Sequence, residues 1–496
     1  MADSKGDQKA GTEETFPIDI SKRKATYIMF CLIACTINFD AGIIPAGLYK
    51  IRDELEMSFQ QQAAIGSLVF MGISLGSLTV TATFQKVSAA KALILMLTLN
   101  IAFTVVFSLS KFLYLLYLCR LIMGFTKSFF VIYGPVWVNE FSPKESSTKW
   151  LAGLQASVTM GIMLGYGITG FFVNSSVGFL TWRFAVQLQA SLLVPLFVWL
   201  RSTDSKLIDT IDPEEGRKIL APGDSLGPES HTVRVDSVDM GHISNFLVQL
   251  KMLYKNPLFV MLTSAMCALS FVFTGIQYWI TLYLILYLGS NPLQVVIAFS
   301  LICSTAPMAG VMFGGWLSDH MGGYRGANLV TALQLCLVFA VLASLFSIPM
   351  GFVGNLTYVS PLLWIMLFFG GALFPTATGI NINTLAKQYQ SSVSSISQLV
   401  FNLGAYLAPV LSAAVMDAFE DPEEGLKWGF RFILLCSVLG VFPMVGAWIF
   451  GIRTQGQSGE YLDFEEERDA VGDLATYTNS EMRNEILRRR LHSFSL

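Results

Sequence analysis

The chain has 496 residues, 53% of them hydrophobic and only 14% charged, against roughly a quarter charged in ordinary soluble domains. A net charge of −3 with no basic stripe speaks against nucleic acid as a partner. All seven cysteines (Cys31, Cys35, Cys119, Cys267, Cys303, Cys336, Cys436) lie inside apolar runs and read as small buried hydrophobes, so neither a disulfide framework nor a metal site is expected.

Taken in chain order, the sequence opens with a polar N-terminal tail over 1–25 and no cleavable signal peptide, because the first apolar run starts too late and is too long. Six apolar segments long enough to cross a core of ~30 Å follow within 26–201. Residues 202–250 are polar, rich in Asp, Glu, Ser, Gly and Pro ("DPEEGRKILAPGDSLGPES"), and read as a mostly disordered linker. Six more apolar segments occupy 251–452, and 453–496 is a polar tail. The expected architecture is an all-α membrane protein of twelve transmembrane helices in two six-helix halves. Basic residues crowd one side: Lys22, Arg23, Lys24, Lys86, Lys91, Lys144, Lys149, Arg201, Lys251, Lys255, Arg325, Lys387 and Arg453. The other side has Lys50, Arg52, Lys111, Arg183, Lys427 and Arg431. The positive-inside rule then puts both termini and the linker in the cytosol. The sequons at Asn174 and Asn355 fall on the outer side, in keeping with that orientation.

Charges inside the spans carry the functional argument. Asp40 interrupts the first apolar segment, "CLIACTINFDAGIIPAGLY", and Arg120 and Lys127 interrupt the fourth. At a rise of 1.5 Å per residue, Asp40 and Arg120 each lie about 9–10 Å below the outer edge of the core. Lys127 is two turns further along and shares a face with Arg120 and Gly124. Each buried charge costs roughly 2.5–3.5 kcal/mol at a helix centre, so it should face the bundle interior and find a partner. Two readings stay open: an Asp40–Arg120 pair that staples two helices, or one that opens during transport with Asp40 titrating. Asp40, Arg120 and Lys127 sum to +1, which suits an anionic substrate group such as phosphate or carboxylate. Other polar residues placed to line a cavity are Asn38, Gln155, Thr159, Gln277, Tyr278, Trp279, Gln398 and Asn402.

Two six-helix halves joined by a long loop match the build of secondary transporters, and the motifs narrow the resemblance. The loop after the eighth span, "GGWLSDHMGGYRGA", resembles the major facilitator motif G-x-L-x-D-R-x-G-R-R through Gly315, Leu317, Asp319, Gly322 and Arg325, with His320 in place of the first basic residue. The resemblance implies a conformational latch built from Asp319, His320 and Arg325, with Lys86 on the other half. The N-half copy, "TATFQKVSAAK", is eroded, with Gln85 where the Asp belongs. In the fourth and fifth spans, Arg120, Gly124, Pro135, Glu140, Gly161, Gly165, Tyr166 and Gly170 sit at the spacings of the Spinster-type lipid transporters. In the seventh, Asn256, Pro257, Phe259, Thr274, Gly275 and Trp279 do the same, and in the first "NFDA" (Asn38–Ala41) resembles their N-x-x-D when read as N-x-D. That subfamily usually follows its first-helix Asp with Arg and carries Glu in the fourth helix. Here Ala41 and Lys127 stand at those positions, so the subfamily's proton coupling and its lysolipid or sphingoid substrates do not transfer directly.

The expected function is alternating-access transport of a small organic or amphiphilic, anionic solute, with proton coupling of the lysolipid or sphingoid type as one form. The alternatives are a sugar or amino-acid transporter of the same fold, and a transporter-shaped receptor that signals through its linker and tail. No nucleotide-binding motif and no Ser/His/Asp set is present, so neither an enzyme nor a cofactor is expected. The expected partners are a small-molecule or lipid substrate, the bilayer and protons, and the protein is expected to act as a monomer. "YLDF" (Tyr461–Phe464) matches short tyrosine sorting signals; whether the membrane is plasma or endolysosomal stays open.

Overall fold

The computed structural model of the chain describes residues 20–143, 147–209, 253–323, 328–382, 384 and 390–453. Twelve of its helices are long and apolar enough to cross a membrane. The first span is two helices, Ile20–Ile37 and Phe39–Leu55, followed in the first half by Phe59–Lys86, Ala89–Leu109, Leu113–Phe141, Ser147–Val173 and Trp182–Ser202. The second half holds Pro257–Leu282, extended by a π-helical turn Tyr283–Tyr287, then Pro292–His320, Leu329–Met350, Leu356–Ile382, Gln390–Met416 and Pro422–Arg453. Each of the twelve expected spans is present. The first is the most lengthened, running from Ile20 to Leu55 where the apolar run covers only 26–49.

Local chemistry sets several starts. Ser58 and Gln61 form a reciprocal capping box at the second span. Asn256 and Asn291 each cap a helix whose first residue is proline, where a missing N–H costs nothing. The break in the first span falls at Asn38, which has φ −98° and ψ 2° and turns its Nδ2 onto the Ala34 carbonyl at 2.7 Å. A short amide side chain offers the backbone an alternative to the helix ladder, and here it interrupts the helix two residues before Asp40.

Packing repeats between the halves. The most extensive contacts pair the second span with the fourth and the eighth with the tenth, which are corresponding positions in the two halves. Between the halves, the second span packs on the eleventh and the fifth on the eighth, again related by exchange of halves. Hydrogen bonds and ring contacts bridge the halves on the side away from the linker, the far side. Gln60 N donates to Asp417 Oδ2 (3.3 Å), Gln277 Nε2 to the Ala41 carbonyl (3.2 Å) and Tyr278 Oη to the Gln62 carbonyl, while Tyr166 and Thr281 share a hydroxyl bond of 2.6 Å. Phe59 meets Trp279 and Tyr166 meets Phe299, both edge-on.

The first residues of the linker differ from expectation. Instead of leaving the helices at once, 203–209 fold back on the first half. Ile208 is fully buried, its carbonyl accepts from Tyr133 Oη, and that of Leu207 accepts from Trp137 Nε1 at 2.8 Å. The Asp209 carboxylate accepts from Ser88 Oγ (2.8 Å) and Ala90 N (2.9 Å), capping the third span beside the eroded loop motif. Sequence spacing does not reveal this contact between the linker and the third span.

Candidate functional site

The site rests on a close approach of helices. A Cβ on Gly161 would lie 2.0 Å from the Cys35 carbonyl, one on Gly165 2.2 Å from that of Phe39, and one on Gly42 1.9 Å from that of Ile162. Only glycine lets the first and fifth spans touch backbone to backbone here. Gly124 plays the same part in the fourth span, where a Cβ would meet the Val69 carbonyl at 2.1 Å. Asp40, just beyond the Asn38 break, directly follows Phe39 on the seam between the first and fifth spans.

Asp40, Arg120 and Lys127 meet. The Asp40 Oδ2 accepts from Arg120 Nη1 and its Oδ1 from Lys127 Nζ, and the three residues are only 1–2% exposed. Arg120 has a further anchor, its Nε donating to the Ile65 carbonyl at 2.8 Å. Its Nη2 has no hydrogen-bond partner among the described residues. Arg120 also lines a small cavity between the halves. The first-half wall is otherwise apolar, with Ala41, Ile44, Pro45, Val69 and Phe70, and the opposite wall brings Thr274, Gln277 and Tyr278. Lys127 turns to Asp40 and is not part of the lining.

The remaining expected positions divide. Gln277 and Tyr278 border the cavity, but both also bond backbone carbonyls of the other half. The Tyr278 ring lies against Gly66, where a Cβ would sit 2.3 Å from it. Trp279 is fully buried against Phe59 and Tyr278, away from the cavity, and its Nε1 is unpaired among the described residues. Asn38 is occupied with its own helix. Gln155 and Thr159 are exposed and outside the lining. Gln398 donates to Asn402 at 3.3 Å, as their i, i+4 spacing suggests, and neither reaches the cavity. Asp319, His320 and Lys86 are exposed and make no ion pair among the described residues, His320 stacking on Trp316 instead. Arg325, like the tail motif 461–464, lies outside the described residues. Sequence reasoning missed the Ile65 carbonyl and Gln62, because a backbone acceptor leaves no residue-type signal, and it missed Thr281, one hydroxyl among many.

Three kinds of comparison bear on this arrangement. A family model described as Major Facilitator Superfamily matches residues 29–366. The probable sphingolipid transporter spinster homolog 3 of Arabidopsis thaliana is 21% identical over 347 residues, covering 67% of this chain and 64% of the relative. Homolog 2 of the same plant is 23% identical over 357 residues, covering 71% and 67%. The chain thus spans about two thirds of the length of these curated relatives. Among solved structures, a bacterial homologue of the human lysosomal transporter Spinster, inward-facing and unoccupied, superposes with a TM-score of 0.68 at 13% identity, covering 89% of this chain and 99% of its own. A mutant of the nucleoside transporter NupG gives 0.62 at 11% identity, covering 86% and 99%. At these identities the solved structures establish the fold alone.

Proposed function

The chain belongs to the Major Facilitator Superfamily, and we propose that this integral membrane transporter carries an anionic amphiphile between its two halves by alternating access. The observation that carries this reading is Arg120. The Nε and Nη1 donors of its guanidinium are taken by the Ile65 carbonyl and Asp40, Nη2 has no hydrogen-bond partner among the described residues, and the side chain lines an otherwise largely apolar cavity. A planar fork with unused donors suits a phosphate, sulfate or carboxylate head, and Ile44, Pro45, Val69 and Phe70 suit an apolar body. The polar side chains of the other wall do not favour a sugar or amino acid equally, because Gln277 and Tyr278 spend hydrogen bonds on closing the far side. The resemblance to probable sphingolipid transporters supports a lipid-like solute.

The excess of basic residues on the linker side supports an orientation with both termini and the linker cytosolic. The far-side contacts then describe a state closed to the outside. A tag after Leu496 that is stained only in permeabilised cells would agree with this; staining of intact cells would reverse it. The transport reading is tested by reconstituting the full chain in liposomes and measuring uptake of labelled lysolipids, small organic anions, sugars and amino acids beside Arg120→Gln. Uptake of an anionic amphiphile that falls more than about tenfold in the variant is expected, the loss of one charge-assisted contact worth ~1.5–3 kcal/mol. Equal uptake by both proteins, or flux of neutral solutes alone, would defeat the assignment.

A further inference from the structure

A transporter driven by protons needs a group that takes a proton on one side of the membrane and gives it up on the other. Asp40 is the one carboxylate at this depth, and both of its oxygens are already occupied by cations of the protein. Among the described residues, the neighbouring elements bring no other acid to it. The fourth span adds Cys119 beside Arg120 and Lys127, the fifth brings Tyr166, the seventh Tyr278, and the first its own Cys35. The sixth brings Arg183, which is paired with Glu54 at the far side, and the second brings no titratable group before Lys86 at the linker end.

For a proton to reach Asp40, one cation has to leave. Arg120 is fixed twice, through Nη1 on Asp40 and through Nε on the Ile65 carbonyl. Lys127 has Asp40 as its partner among the described residues and is 2% exposed. Releasing it would leave a buried ammonium unpaired, and with Asp40 neutral the site would carry two positive charges, the costliest arrangement open to it.

We propose that Lys127 permanently holds the place on Asp40 that a transported proton would take, so that the protein moves its solute without proton coupling. Lys127 and Asp40 then cancel, and the charge of Arg120 is left for the solute: the empty site is +1 and the site loaded with a monoanion is neutral. This deepens the transport reading above and rests on it, since it concerns what drives the movement of an anion bound at Arg120.

The test uses the full chain in liposomes with a fluorescent alkyl sulfonate, an amphiphile whose own charge does not change near neutral pH. Wild-type flux is expected to change less than about twofold when one pH unit is imposed across the membrane. In Lys127→Met, which frees one oxygen of Asp40, the same gradient should accelerate flux by up to about tenfold, the factor one coupled proton supplies per pH unit. Lys127→Arg should restore the indifference, and Lys127→Gln replaces the methionine variant if that one does not fold. Wild-type flux driven by the gradient, or a neutral variant that ignores it, overturns the proposal. Should the sulfonate not cross in any protein, the anionic-solute reading is what fails, and infrared titration of the same samples decides the coupling question separately. A protonated-carboxyl band that appears on acidification in Lys127→Met, and is absent from wild type and from Asp40→Asn Lys127→Met, supports the proposal. The same band in wild type, lost in Asp40→Asn, refutes it.

Discussion

At the residue scale, the molecule turns on a carboxylate shared by two cations. Burying such a group is tolerable only while each charge has a partner, and removing one member exposes the cost. Asp40→Asn leaves Arg120 and Lys127 facing each other without an anion, and should destabilise the protein by about 3–5 kcal/mol, read as a lower thermal unfolding midpoint in detergent. The triple change Asp40→Asn, Arg120→Gln, Lys127→Met should recover most of that stability, since no unpaired charge remains, while anion uptake stays lost. A triple variant as unstable as the single one would mean that packing, and not charge, holds the site together. The three residues were legible in the sequence because ionisable groups in apolar runs are rare. Their division of labour was not. Helical spacing places Lys127 and Arg120 on one face, but only the path of the first span past the Asn38 break decides that Lys127 reaches Asp40 while Arg120 borders the cavity.

At the scale of elements, glycines govern how near the helices come. The G-x-x-x-G-Y-x-x-x-G run of the fifth span does two jobs. Gly161 and Gly165 admit the first span, whereas Gly170 admits Val296 of the eighth span, at whose side chain a Cβ would sit 2.4 Å away. Tyr166, between them, reaches Thr281 of the seventh span. A Gly165→Val change would press a branched side chain into the Phe39 carbonyl, one residue from Asp40, and force the two backbones apart. Overpacking of this kind costs about 1–3 kcal/mol, and the shift should also loosen the Asp40 ion pairs. Reduced stability together with reduced anion uptake is expected; stability lost with full transport retained would separate this packing seam from the site. The glycine spacing was visible from the residues alone, but which helix each glycine receives was not, since nothing local encodes the identity of a partner. The same holds at the linker, where a composition typical of unstructured chain hides the folded stretch 203–209. Asp209 finds its role only when the sixth span returns it to the start of the third.

At the scale of the whole molecule, transport as proposed makes the far-side contacts between the halves the ones that must break for the cavity to open outward. Tyr278 contributes the most direct one, with its ring on Gly66 and its hydroxyl on the Gln62 carbonyl. Tyr278→Phe keeps the ring and removes this hydrogen bond, a loss of about 0.5–1.5 kcal/mol that should shift the equilibrium toward far-side opening by roughly 2- to 13-fold. A cysteine placed at Ile44, in the cavity wall, should then react faster with a membrane-impermeant thiol reagent added from the far side. Unchanged labelling would show that the closure is held elsewhere, for example at the Gln60–Asp417 contact.

The sequence by itself determined that this is a membrane protein of twelve helices in two sets of six, and that three charges lie within the spans. These features follow from composition and length, because the bilayer demands about twenty apolar residues per crossing and penalises every charge inside it. The tertiary structure alone decided how the halves meet and which side they close. It also decided that both cations reach Asp40 and that, of the two, Arg120 alone also lines the cavity. Those outcomes depend on contacts between residues far apart in the chain, several of them with backbone carbonyls such as Ile65, Gln62 and Ala41, and a carbonyl looks the same in every residue until the fold brings a donor to it.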